Sequence, residues 1–286
     1  MINPLISADE LAELLDSTDG GATALRVLDV RWSLGAPSGL PLYEAGHIPG
    51  AVFVDLDTEL SRTGTPQEGR HPLPELEAFQ ANVRKWGLND GDAVVVYDDW
   101  NSQAAGRAWW LLKYMGVENV RVLDGALPAW IRAGHSLATG TDDMAKVIPG
   151  TSVLSPGHEP LLSADDAAAL PSRGVLLDAR PAERYRGEVE PLDPRAGHIP
   201  GAINAPTAGN LDEDGHFLSA ETLRERFAAL GVSDDREVGV YCGSGITATH
   251  DALALAVAGF RPALFAGSWS AWANQPGRPV AMGPNP

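Results

Sequence analysis

Apolar residues in this chain gather in short continuous runs instead of alternating with polar ones. Residues 27–30, 93–97 and 120–123 form one set, and 175–178, 238–241 and 263–265 form another. Runs of Val and Leu this short, without period-two alternation, suit strands covered on both faces. Between them, residues 104–115 and 247–258 carry the longer pattern of a helix. Strands that alternate with helices predict an α/β fold with mainly parallel sheets. Such sheets place ligands beyond the carboxyl ends of their strands.

The two sets are copies of one unit. Ala45-Gly-His-Ile-Pro-Gly-Ala51 recurs letter for letter as Ala196-Gly-His-Ile-Pro-Gly-Ala202. Val27-Leu-Asp-Val-Arg31 matches Leu176-Leu-Asp-Ala-Arg180, and Val94-Val-Val-Tyr97 matches Val238-Gly-Val-Tyr241. Gly125 and Trp130 match Gly267 and Trp272 at the same internal spacing. Two repeats of this size predict two globular domains and no solenoid. We place the first at 1–140 and the second at 161–286. The stretch 141–160, polar and rich in Gly and Pro, reads as a linker lying along one of them.

Charge narrows the partners. With 21 Lys and Arg against 38 Asp and Glu, the formal net charge is −17. That balance argues against nucleic acid or an anionic membrane, while leaving room for a small anion held by a local arginine cluster. The N-terminal segment shows no basic region followed by an apolar core, and no apolar run is long enough to span a bilayer, so a cytoplasmic location is expected.

A single cysteine, Cys242, excludes an internal disulfide. It ends the run 238–241 and opens Cys242-Gly-Ser-Gly-Ile-Thr-Ala248, ahead of a helix. A free cysteine is often just a small buried hydrophobe. Here Gly243 and Gly245 let the backbone curl around the sulfur, and turn N–H groups with a helix N-terminus favour a thiolate. The composition of the loop therefore predicts a reactive thiol. Aligning Tyr97 with Tyr241 places Asp98 where Cys242 stands, which makes the first copy non-catalytic. His47 and His198 lie in the duplicated turn, where they are expected to tie the loop to nearby backbone.

The duplicated Gly-His-Ile-Pro-Gly turn, the Asp-x-Arg strand ends and a cysteine loop in the second copy alone resemble the tandem-domain rhodanese and 3-mercaptopyruvate sulfurtransferases. The resemblance runs from about Leu28 to about Val280 and implies two rhodanese-type domains, the first walling the cleft of the second. The loop is similar to Cys-Gly-Ser-Gly-Val-Thr-Ala of the mercaptopyruvate branch, with Ile246 for Val and no basic residue to receive thiosulfate. The same resemblance makes Gly243, Gly245, Ile246, Thr247 and Ala248 substrate-binding loop residues. It places Arg184 on a carboxylate-binding arginine and Arg195 nearest to a second. It also implies a relay of Ser244, His71 and Asp57; as a surface carboxylate, a turn serine and a loop histidine, these three have structural readings too.

The resemblance implies a double displacement through a Cys242 persulfide. The sulfur comes from mercaptopyruvate and leaves to cyanide, a small thiol or thioredoxin, without metal or organic cofactor. A thiosulfate sulfurtransferase is the rival within the class. A cysteine-dependent phosphatase needs an arginine six positions after the cysteine, where this chain has Ala248. A non-catalytic sulfur carrier is the remaining alternative.

Overall fold

A computed structural model describes residues 3–17, 24–36 and 38–286. They cluster into two compact units. The first comprises the described residues up to Ser61, with Pro74–His158 and Glu213–His216. The second comprises Arg62–Leu73, Glu159–Asp212 and Phe217–Pro286. Residues 141–158 thus count with the first unit, and the segment Arg62–Leu73 counts with the second.

Among the described residues the first unit holds strands β1 (Leu5–Ile6), β2 (Leu25–Asp29), β3 (Val52–Phe53), β4 (Ala93–Tyr97) and β5 (Val120–Leu123), in the order β1-β5-β4-β2-β3. The second holds β6 (Gly174–Asp178), β7 (Ile203–Asn204), β8 (Glu237–Tyr241) and β9 (Ala263–Leu264), in the order β7-β6-β8-β9. Every pair is parallel, as runs buried on both faces require. The longer strands and the helices Gln103–Tyr114 and Thr247–Val257 lie within one or two residues of the sequence reading. The two-residue strands β1, β3 and β7 are too short to show a period of their own.

Each unit repeats one buried polar lock. Arg31 folds back on Asp29 at 2.6 Å and donates to the Gly46 carbonyl; Arg180 does the same with Asp178 and the Gly197 carbonyl. Buried ion pairs of this kind offset their desolvation only when the remaining donors are also satisfied; the Leu42 and Gly46 carbonyls do that for Arg31, while Arg180 Nη1 faces Glu190 at 3.5 Å. The phenol of Tyr97 accepts from the Ile48 amide, and that of Tyr241 accepts from the Ile199 amide, both at 3.1 Å. Burial first, and the Asp178 charge second, push the Tyr241 phenol well above its ordinary range. His47 and His198 stack on Tyr43 and Tyr185 and bond the backbone carbonyls of those tyrosines. The lock fixes the turn against the end of the central strand, so the residue after Tyr241 is held in a defined place. That residue is Cys242. Among the described residues, no helix is long and apolar enough to cross a membrane.

Candidate active site

Register within the second sheet pairs Asp178 with Tyr241, so Cys242 emerges just past the carboxyl ends of the two central strands. Its side chain is buried. The sulfur accepts a hydrogen bond from the Gly245 amide at 3.2 Å, and the Ser268 hydroxyl lies 3.9 Å away. Backbone bonds close the loop from behind: the Cys242 amide donates to Ser268 Oγ, and the Cys242 and Gly243 carbonyls accept from Trp269 and Ser270. Gly245 has φ of +81°, and a Cβ there would approach the Ala266 carbonyl oxygen to 2.2 Å. Only glycine fits that position. Ile246 is buried, and its carbonyl accepts from the Thr249 amide, while Thr247 and Ala248 begin the helix that carries the loop away.

The corresponding loop of the first unit holds a carboxylate of its own. Asp98 follows β4 as Cys242 follows β8, and its carbonyl accepts from the Leu127 amide as that of Cys242 accepts from Trp269. Its carboxylate takes the amides of Trp100, Ser102 and Ala105, each at 2.9 Å. Burial pushes this carboxyl up to about 6, against the pull of those three donors. A ring of amides that an outside anion could have used is therefore filled from within.

His71 Nδ1 lies 2.8 Å from Ser244 Oγ, and both residues belong to the second unit. Asp57 belongs to the first unit, is exposed, and accepts from Trp32 Nε1 at 2.9 Å.

Arginines supply the positive charge that the loop itself lacks. A Cβ built on Gly243 would meet Arg70 Nη2 at 3.2 Å and Arg184 Nη1 at 3.4 Å, so two guanidiniums converge beside the cysteine. Two acids with buried side chains hold them from the other side: Arg184 Nη2 donates to Glu190 at 2.7 Å, and Arg70 Nη1 pairs with Asp193. Asp193 also faces Arg184 at 3.7 Å. Arg195, expected nearest to a second carboxylate site, is engaged by backbone. Its Nε, Nη1 and Nη2 donate to the carbonyls of Ala273, Arg278, Trp272 and Gln275, so its fork stitches the C-terminal backbone together. Arg186 pairs with the exposed Glu188.

Arg70 is the residue that the sequence reading missed. Its only signal was adjacency to His71, because its acidic partner lies 123 positions away. Ser268 was missed as well. It has φ of +52°, strained for a non-glycine residue, and its counterpart Ala126 has φ of +55°. A hydroxyl stands at this bend in the copy that has the cysteine, and a methyl stands in the copy that does not.

The rhodanese-like domain family profile matches residues 7–133 and again 163–275. The chain is 47% identical over 282 residues to SseB of Mycobacterium tuberculosis, which carries a provisional thiosulfate sulfurtransferase name; the match covers 98% of this chain and 97% of that one. It is 46% identical over 292 residues to a Pseudomonas aeruginosa protein with a provisional 3-mercaptopyruvate sulfurtransferase name, covering 98% of each. Among solved structures it is similar to SseA from Escherichia coli, described as a 3-mercaptopyruvate sulfotransferase of rhodanese fold. That match has a TM-score of 0.78 and 34% identity, and covers 93% of this chain and 99% of SseA.

Proposed function

The chain belongs to the rhodanese-like family and is a sulfurtransferase; from that premise we propose that it takes sulfur from 3-mercaptopyruvate and passes it on through a persulfide at Cys242. The observation that carries this reading is the pairing of a backbone-cradled sulfur with the Arg184 guanidinium next to it. A guanidinium fork is suited to a carboxylate, and mercaptopyruvate brings one.

In the first half-reaction the Cys242 thiolate attacks the donor sulfur. The new S–S bond forms as the donor's C–S bond breaks, and its electron pair leaves with pyruvate as the enolate. The former thiol hydrogen stays on the outer sulfur as Cys–S–SH. The enolate then takes a proton at carbon and departs as pyruvate. In the second half-reaction a nucleophile such as cyanide or a thiolate attacks the outer sulfur, and the Cys242 thiolate leaves. The Gly245 amide supports charge on the inner sulfur through both steps. His71 and Ser244, already hydrogen-bonded, carry the proton between persulfide and enolate. Cyanide, a small thiol and reduced thioredoxin all have the required chemistry as acceptors.

Thiosulfate as donor is the second reading, favoured by the name of the 47% identical relative and by the two arginines beside Gly243. Comparison of kcat/KM for the two donors separates them. Cys242→Ser should abolish pyruvate release and the gain of one sulfur in the intact mass; turnover that survives this change rules out the persulfide. Arg184→Ala should raise KM for mercaptopyruvate by about tenfold or more. An unchanged KM removes its carboxylate role.

A further inference from the structure

We propose that Glu190 and Asp193 set the choice of donor: their charges let the site admit one negative charge and penalise two, which favours mercaptopyruvate over thiosulfate. The inference rests on the donor reading above and places the discrimination on acids outside the cysteine loop.

Three observations carry it. The first is a ladder of alternating charge within the second unit. Asp178 pairs with Arg180 at 2.6 Å, and Arg180 Nη1 faces Glu190 at 3.5 Å. Glu190 pairs with Arg184 at 2.7 Å, Arg184 faces Asp193 at 3.7 Å, and Asp193 pairs with Arg70. Acids and bases are equal in number along the ladder, so it carries no net charge to the edge of the cysteine loop. The side chains of Glu190 and Asp193 are only 4% and 2% exposed, and charges so far from water are weakly screened. The reacting thiolate then adds a negative charge of its own.

The second observation comes from the duplication. Arg31 repeats the bond of Arg180 to its strand-end aspartate, but its Nη1 donates to the Leu42 carbonyl, a neutral group. The same nitrogen of Arg180 faces Glu190. The lock is thus closed by backbone in the unit without a cysteine and extended by charge in the unit that has one. Folding of the turn does not require the acid.

The third is what each acid does with its two oxygens. Glu190 Oε1 accepts from Arg184 and from the amides of Leu192 and Asp193, whereas Oε2 has no hydrogen-bond partner. Asp193 Oδ1 accepts from Arg70, and Oδ2 has no hydrogen-bond partner either. One carbonyl oxygen would serve the hydrogen bonds that each acid makes; what the carboxylate adds is charge. Its repulsion grows with the charge of the bound anion, so a dianion is repelled twice as strongly as a monoanion in the same place. Such a repulsive element separates two ligands that one pair of cations would attract alike.

The test is steady-state kinetics of Asp193→Asn and Glu190→Gln with both donors, beside Glu188→Gln, an exposed acid paired with Arg186. Each of the first two should raise kcat/KM for thiosulfate and lift the ratio of thiosulfate to mercaptopyruvate by about tenfold. Glu188→Gln should change that ratio by less than about twofold, since solvent screens its charge. A ratio that stays at the wild-type value, or equal losses with both donors, overturns the inference, because the acids would then only hold the arginines. Competition on the wild-type enzyme needs no variant to fold. Lactate, a monoanion, should compete with mercaptopyruvate at lower concentration than sulfate, a dianion, and tighter inhibition by sulfate overturns the inference. The donor reading fails separately, if the wild-type enzyme has the higher kcat/KM with thiosulfate. The change of ratio in the variants is read against that value and still decides the part played by the acids.

Discussion

His71 and Ser244 are 173 positions apart in sequence, yet Nδ1 of one lies 2.8 Å from Oγ of the other. The serine is two residues past Cys242 in a loop whose backbone is fixed by Trp269 and Ser270. Two groups that hand on one proton act as a unit, and their removal is not additive. His71→Ala and Ser244→Ala should each lower kcat for pyruvate release by about a hundredfold, and the double variant should be no worse than the worse single one. Losses that multiply would show that the two residues act separately.

Ser268 offers a prediction that the duplication itself controls. Its hydroxyl accepts from the Cys242 amide at 3.0 Å and lies 3.9 Å from the sulfur, and Ala126 already tolerates the same strained bend in the first unit. Ser268→Ala should therefore fold, while slowing persulfide formation by about tenfold through loss of one polar group that favours the Cys242 thiolate. Single-turnover loading followed by mass spectrometry reads that step directly. Loading at the wild-type rate would confine Ser268 to holding the loop.

Much of this could be read from the chain before the structure, and the reasons are local. The repeated Asp-x-Arg ends, the Gly-His-Ile-Pro-Gly turns and the Val-rich strands each act within a few residues of themselves or of a neighbouring strand. The equivalence of Asp98 with Cys242 followed from aligning Tyr97 with Tyr241. What could not be read was non-local. Arg62–Leu73 counts with the second unit although residues on both sides of it count with the first. The Arg70–Asp193 pair follows from that exchange, and no periodicity signals it. The four carbonyls that Arg195 donates to were hidden for the same reason, since a guanidinium looks the same in sequence whatever it bonds.

Asp98 and Asp251 are both buried carboxyls pushed upward by burial, and replacement by asparagine should affect them in opposite directions. Asp98 accepts amides on both oxygens: Trp100 and Ser102 on Oδ1, Ala105 on Oδ2. Asparagine would set an NH2 against one of those N–H groups, leaving buried donors facing each other. Asp98→Asn should cost about 1–3 kcal/mol in urea denaturation, with sulfur transfer per folded molecule nearly unchanged. A variant as stable as wild type would mean that the amide ring does not need a full carboxylate.

Asp251 lies in the helix Thr247–Val257, fully buried, with Oδ1 accepting from Asn210 Nδ2 at 2.6 Å and no hydrogen-bond partner at Oδ2. Burial pushes its carboxyl up to about 7, although the Asn210 bond and the Arg226 charge pull the other way. An unfolded aspartate ionises near pH 4. Between about pH 4 and 7 the folded protein keeps a proton that the unfolded chain has lost, so this group makes stability fall as pH rises, and the fall levels off above 7. The slope is at most about 1.4 kcal/mol per pH unit. Asparagine keeps an oxygen for Asn210 and has no proton to lose. Asp251→Asn should therefore match wild type near pH 4 and exceed it in melting temperature by several degrees at pH 8. Melting curves for the two proteins across that range check the prediction, and parallel pH profiles would show that Asp251 ionises alike in the folded and unfolded chains.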